Sequence, residues 1–171
     1  MVKLLPLISE KKIQAEVKKL GKNISKDYKN KDLVLVGVLK GSFVFLADLT
    51  QQITIDHSID FIGASSYEGV NSTGKVIFTK QPDLELKGRD ILLVEDIVDT
   101  GNTLKKIVEF MILLDVSSVK VCALINKFDR RKVDVVVDYP CFSLEEGFVV
   151  GYGLDYDEKF RNLPALYDLK L

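Results

Sequence analysis

The 171-residue sequence has one histidine, two cysteines, four prolines and no tryptophan. His57 has no second histidine and no cysteine nearby, so a Ser-His-Asp or Cys-His enzyme would rest wholly on it. Cys122 lies inside an apolar run and Cys141 follows Pro140. No CxxC or HExxH pattern exists, which argues against structural zinc, and the low cysteine count fits a reducing compartment. Acid–base chemistry is then left to carboxylates or lysines. Charge of one sign is also lacking: 24 Lys+Arg oppose 25 Asp+Glu, for a net charge of −1. That balance indicates no broad nucleic-acid surface, although local patches stay open. No uncharged run approaches the ~18 residues of a membrane span. Residues 1–8 hold too few apolar side chains for a signal peptide, so a soluble, cytoplasmic protein without membrane contact is expected. Repeats, low-complexity tracts and linkers are absent, and one domain over residues 1–171 is expected. The 47% hydrophobic content of the chain suffices for a buried core.

Apolar periodicity is plentiful. Ile13, Val17, Leu20, Ile24 and Tyr28 recur at helical spacing behind Ser9, a plausible N-cap, and predict a helix over 9–29. Residues 33–39 form a short continuous apolar run, as in a strand buried on both faces. Lys40-Gly41-Ser42 breaks it before a helix over 43–53. Further strands are expected at 59–64, 76–79, 91–94, 119–125, 133–137 and 148–152, with a helix at 104–114 and a polar loop at 67–75. Alternating strands and helices predict an α/β fold with a mostly parallel sheet and right-handed crossovers. Ligands in such sheets bind at the carboxyl ends of the strands, here the breaks after Leu39, Val94 and Ile125.

Glu95 and Asp96 follow a hydrophobic strand as adjacent carboxylates, able to hold hydrated Mg²⁺ or accept hydrogen bonds from sugar hydroxyls. Asp99-Thr100-Gly101-Asn102-Thr103 then enters a helix, where free backbone N–H groups, hydroxyls and a glycine suit a phosphate. Diol on the carboxylates and phosphate on the cradle is the pattern for a ribose 5-phosphate. The plainer alternative is a helix cap at Asp99 or Thr100 and a solvated turn at Glu95-Asp96.

Taken together, Val94-Glu95-Asp96-Ile97-Val98-Asp99-Thr100-Gly101-Asn102-Thr103 resembles the phosphoribosyl-diphosphate motif of type I phosphoribosyltransferases. It is neither a Walker A loop nor a GxGxxG fingerprint. Leu39-Lys40-Gly41-Ser42, Ser65-Ser66-Tyr67, Leu124-Ile125-Asn126-Lys127, the run 148–156 and the run 158–164 resemble the hypoxanthine-guanine branch, in that branch's order.

The resemblance implies a central sheet flanked by helices, a mobile catalytic loop at about 67–81, and a small hood from the N-terminal segment and about 138–171. It implies transfer of 5-phosphoribosyl from phosphoribosyl diphosphate to N9 of a 6-oxopurine, with Mg²⁺ as cofactor and a homodimer or homotetramer as the assembly. Asp99 maps to the proposed general base toward purine N7. Glu95 and Asp96 map to the ribose hydroxyls and the metal. Thr100, Gly101, Asn102 (through its backbone) and Thr103 map to the 5-phosphate. Leu39, Lys40, Gly41 and Arg161 map to diphosphate, with a Leu39–Lys40 peptide that can be cis. Ser66 and Tyr67 map to the loop that covers the reactants. Lys127, Phe148 and Val149 map to the purine, and Asp155 to the purine edge and the metal. Alternatives of a plainer kind stand beside these: a solvated Lys40, a core Phe148, and a surface Lys127 among Arg130, Arg131 and Lys132. A xanthine-preferring enzyme, a nucleotide-sensing RNA-binding regulator on the same fold, and a sugar-phosphate binder without transfer chemistry are the competing functions.

Overall fold

Among the described residues, 2–66, 76–128, 131–145 and 147–171, a computed structural model of the chain holds nine strands and three helices. They run β1 (Lys3–Ile8), α1 (Glu10–Asp27), β2 (Leu33–Leu39), α2 (Phe43–Gln52), β3 (His57–Ser66), β4 (Val76–Lys80), β5 (Asp90–Val98), α3 (Asn102–Leu113), β6 (Ser118–Lys127), β7 (Tyr139–Leu144), β8 (Val149–Val150) and β9 (Leu166–Lys170). A six-stranded sheet has the order β4-β3-β2-β5-β6-β7, and β1-β9-β8 form a separate three-stranded sheet. In the large sheet only β3–β4 is antiparallel.

The apolar run 33–39 serves two cores. Leu33 and Leu35 join Ile13, Val17 and Ile24 of α1 and Phe45 and Leu49 of α2 on one face. Val34, Val36 and Val38 join Leu104, Ile107 and Met111 of α3 on the other. Burial on both faces explains why the run is continuous rather than alternating. Ser9 caps α1 as its spacing suggested, accepting from the Lys12 N–H at 3.4 Å.

Several expectations need correction. The strand expected at 91–94 continues to Val98, because pairing with β6 persists through Ile97–Ile125 and Val98–Asn126. Glu95 and Asp96 therefore lie inside the strand, not after it. Residues 133–137 form no strand. Their burial alternates, but the Val135 carbonyl accepts from Arg131 and β6 pairs with β7 instead. The strand expected at 148–152 shrinks to β8, since Gly151 and Tyr152 take left-handed conformations at φ 97° and 49°. β1 and β9 are strands beyond those that the sequence pattern predicts. They pair the two ends of the chain, Lys3 with Lys170 through Ile8 with Leu166. β7, placed in the expected hood, belongs to the large sheet, so the small sheet draws only on β1, β8 and β9.

Candidate active site

The order of the large sheet creates a switch point. β2 and β5 are adjacent and parallel, yet the chain leaves β2 toward β3 on one side and β5 toward β6 on the other. The turns after β2 and β5 then lie side by side at the carboxyl edge, where an open α/β sheet forms its crevice.

The turn after β2 carries a cis Leu39–Lys40 peptide. Ser42 is fully buried and donates its hydroxyl to the Val38 carbonyl at 2.7 Å, closing the turn. Gly41 has no room for a side chain, because a Cβ there would run into the Asp96 carboxylate. A Cβ at Gly153, whose φ is 102°, would run into the Gly41 carbonyl. Three segments distant in sequence thus meet backbone to carboxylate and backbone to backbone.

Glu95 is buried and Asp96 partly so. Burial raises the Glu95 carboxyl well above its ordinary range, and the neighbouring Asp96 charge adds to the rise. Burial likewise pushes Asp96 up to about 6, opposed by the Ile97 N–H that donates to its Oδ1 at 2.8 Å and by Arg161. Two buried like charges in strand register favour whatever positive charge or donor offsets them. Hard carboxylate oxygens in a pair fit a divalent cation that keeps water and ligand oxygens in its remaining positions. Asp155, mapped to the same metal, is not gathered with them: its Oδ1 pairs with Arg161 at 2.8 Å and its Oδ2 accepts the Glu158 N–H at 2.9 Å. Among the described residues no three potential metal ligands come together.

Beyond Asp99 and Thr100, Gly101 takes φ 82° and stands at the N-cap of α3. Gly101 has no side chain with which to cap this helix start, which leaves its first amides suited to an anion. Arg131 reaches in from beyond β6 and donates to four acceptors: the carbonyls of Asp99 (3.1 Å), Lys127 (3.1 Å) and Val135 (2.7 Å), and the Asn126 side chain. The Lys132 N–H donates to the Thr100 carbonyl at 3.0 Å.

Lys127 ends β6 at only 6% exposure, with Nζ donating to the Gly147 carbonyl at 2.7 Å. It is therefore no part of a solvated basic cluster. Phe148, by contrast, is 51% exposed and stands T-shaped to the Tyr156 ring, at 5.5 Å and 89°, so it is not a core residue. Val149 is buried in β8 beside it.

Lys40 extends to Glu158 Oε1 at 2.9 Å. Arg161 Nη2 reaches Glu158 Oε2 at 3.3 Å and Asp155 Oδ1 at 2.8 Å, while Nη1 donates to the Gly153 carbonyl at 2.8 Å. Leu39, Lys40, Gly41, Asp96, Asp155 and Arg161 are thus joined through direct neighbours. Asp99, Lys127 and the cradle are joined through Arg131. Tyr67, Arg130, most of the expected loop and the Ser66 side chain lie outside the described residues. His57 stands apart, clasping Thr50 (2.6 Å) and the Ile55 carbonyl (2.8 Å) between α2 and β3.

Three contributors make contacts that the sequence does not disclose. Arg131 was visible only as one member of a basic cluster. Gly153 carries no sign of its contact with Gly41. Glu158 lies in the run 158–164, three residues before Arg161, but nothing local in the sequence points to its contact with Lys40.

The chain matches the profile of the phosphoribosyl transferase domain over residues 8–157. It is 44% identical over 163 residues to the hypoxanthine phosphoribosyltransferase of Escherichia coli strain K12, covering 94% of this chain and 92% of that one. It is 45% identical over 165 residues to the hypoxanthine-guanine phosphoribosyltransferase of Staphylococcus epidermidis, covering 96% and 92%. A crystal structure of a hypoxanthine phosphoribosyltransferase from Staphylococcus aureus superposes with a TM-score of 0.93 at 44% identity, covering 96% of this chain and 90% of that one. No helix among the described residues is long and apolar enough to cross a membrane.

Proposed function

The chain belongs to the phosphoribosyltransferase family, and on that premise we propose that it transfers 5-phosphoribosyl from phosphoribosyl diphosphate to N9 of hypoxanthine or guanine, giving IMP or GMP and diphosphate. The observation that carries this reading is the convergence of the acidic pair in β5, the glycine-led start of α3 and the cations Lys40 and Arg161 around one switch point.

Glu95 and Asp96 accept hydrogen bonds from the ribose hydroxyls, which offset their mutual repulsion. The first amides of α3, with the hydroxyls of Thr100 and Thr103 and the backbone of Gly101 and Asn102, hold the 5-phosphate. Lys40 and Arg161 take the diphosphate, so negative charge developing on the leaving group meets fixed cations. Glu95 and Asp96 would hold a Mg²⁺ ion, which would supply neutralisation of the diphosphate charge. Phe148, half exposed, offers its ring to stack on the base. Lys127 donates to purine O6, and Val149 lends backbone to the purine edge. An ammonium there rejects a 6-amino group, whose hydrogens would face it. Asp99 accepts the N7 proton as the ribosyl cation develops, its carbonyl fixed by Arg131. Ser66 and Tyr67 cover the diphosphate and exclude water that would hydrolyse the cation.

A homodimer or homotetramer is part of the same proposal and is checked by sedimentation. The rival without transfer chemistry is separated by calorimetric titration of phosphoribosyl diphosphate set beside base turnover. The proposal expects binding and turnover together; binding without turnover of any purine would select the rival.

A further inference from the structure

The Glu158 carboxylate spans the two cations of the site, one oxygen on each: Oε1 on Lys40 Nζ at 2.9 Å and Oε2 on Arg161 Nη2 at 3.3 Å. Its placement is not incidental to a loose chain. The Glu158 N–H is fixed on Asp155 Oδ2 at 2.9 Å, and Asp155 Oδ1 in turn holds Arg161. Glu158 itself sits at φ 58°, with Asp157 at 52°, a left-handed conformation that non-glycine residues seldom adopt.

Stability does not account for this arrangement. The Lys40 and Glu158 side chains are 66% and 64% exposed, and pairs that open contribute little to folding. A weak, exposed carboxylate on two cations is instead well suited to being displaced. An anion that takes both Lys40 and Arg161 has to break both contacts, and it leaves a carboxylate facing its own charge.

We propose that Glu158 is an internal counter-anion of the diphosphate site, competing with diphosphate for Lys40 and Arg161 and thereby lowering diphosphate affinity. The proposal rests on the reading that those two cations hold diphosphate. Glu158 touches no reacting atom and acts through the cations. Its consequence is release: the carboxylate swings back as diphosphate departs.

The test is calorimetric titration of inorganic diphosphate, with excess Mg²⁺, into the full chain. Wild type, Glu158→Gln, Asp157→Asn and Arg161→Gln are compared, each with its thermal midpoint. Glu158→Gln is expected to bind diphosphate about two- to fivefold tighter, the scale set by exposed ion pairs. Asp157→Asn removes the same charge one residue away and is expected to bind as wild type. If Glu158→Gln fails to fold, Glu158→Asp, too short to span both cations, replaces it with the same expectation. Unchanged or weaker binding by the Glu158 variant, or equal tightening by Asp157→Asn, would overturn the proposal. Wild type that ignores diphosphate, or Arg161→Gln that binds it undiminished, would overturn the underlying assignment and the proposal with it.

Discussion

The backbone of Gly41 lies against the carboxyl group of Asp96, so close that a Cβ on residue 41 would fall on Asp96 Oδ2. This contact locks the turn after β2 to the acidic pair in β5. Gly41→Ala must push Asp96 aside. Overpacking of this kind costs about 1–3 kcal/mol, which lowers the melting midpoint by roughly 3–10 °C in a domain of this size. Calorimetry reads the loss, and the KM for phosphoribosyl diphosphate is expected to rise more than the KM for the base.

The same pair makes stability pH-dependent. Asp96 titrates near 6 in the folded chain against an ordinary value of 3.8. Its folded pKa is raised, so the folded state binds the proton first as pH falls. Between about pH 7 and pH 4 this group therefore adds stability on acidification and withdraws it as pH rises. Asp96→Asn is expected to stabilise the metal-free chain by about 1–2 kcal/mol at pH 8, with the gain vanishing near pH 4. Urea unfolding in chelator at both values checks the sign. Added Mg²⁺ is expected to raise the midpoint of wild type at pH 8 and to leave Asp96→Asn nearly unmoved.

How far the sequence discloses this site depends on what kind of contact each residue makes. The runs 33–39 and 119–125 are legible because burial on both sheet faces leaves an unbroken apolar string. Ser9 and α1 are legible because a cap and a helical period are local. β1 and β9 are not, since Leu4 and Leu169 pair across nearly the whole chain and neither segment alternates cleanly. Val133 to Val137 mislead in the opposite sense: they alternate like a strand, but periodicity does not reveal whether an edge is free to pair with them. Within the site, carboxylates in a contiguous motif are readable. Arg131 is not, because its four acceptors are carbonyls and an amide scattered over three segments.

Asp99→Asn keeps the side-chain shape and the carbonyl that Arg131 holds, but it removes the proton acceptor. kcat is expected to fall about a hundredfold or more, with the affinity for phosphoribosyl diphosphate changed less than about threefold. Pre-steady-state turnover beside calorimetric titration separates the two; equal losses in both would make Asp99 structural.

Lys127 is buried with its ammonium on the Gly147 carbonyl. Lys127→Ala is expected to lower kcat/KM for hypoxanthine and to narrow the preference over adenine by about tenfold or more. Competition assays with both bases measure the ratio, and unchanged selectivity would remove the lysine from purine recognition.

The proposed reaction joins a 6-oxopurine to the ribosyl carbon of phosphoribosyl diphosphate at this site. The most direct measurement is a spectrophotometric assay of purified protein over hypoxanthine, guanine, xanthine and adenine, with and without Mg²⁺, and with diphosphate release followed in parallel. Mg²⁺-dependent formation of IMP and GMP with stoichiometric diphosphate is expected, with little or no reaction of adenine. Clean, folded protein that turns over neither hypoxanthine nor guanine would contradict it.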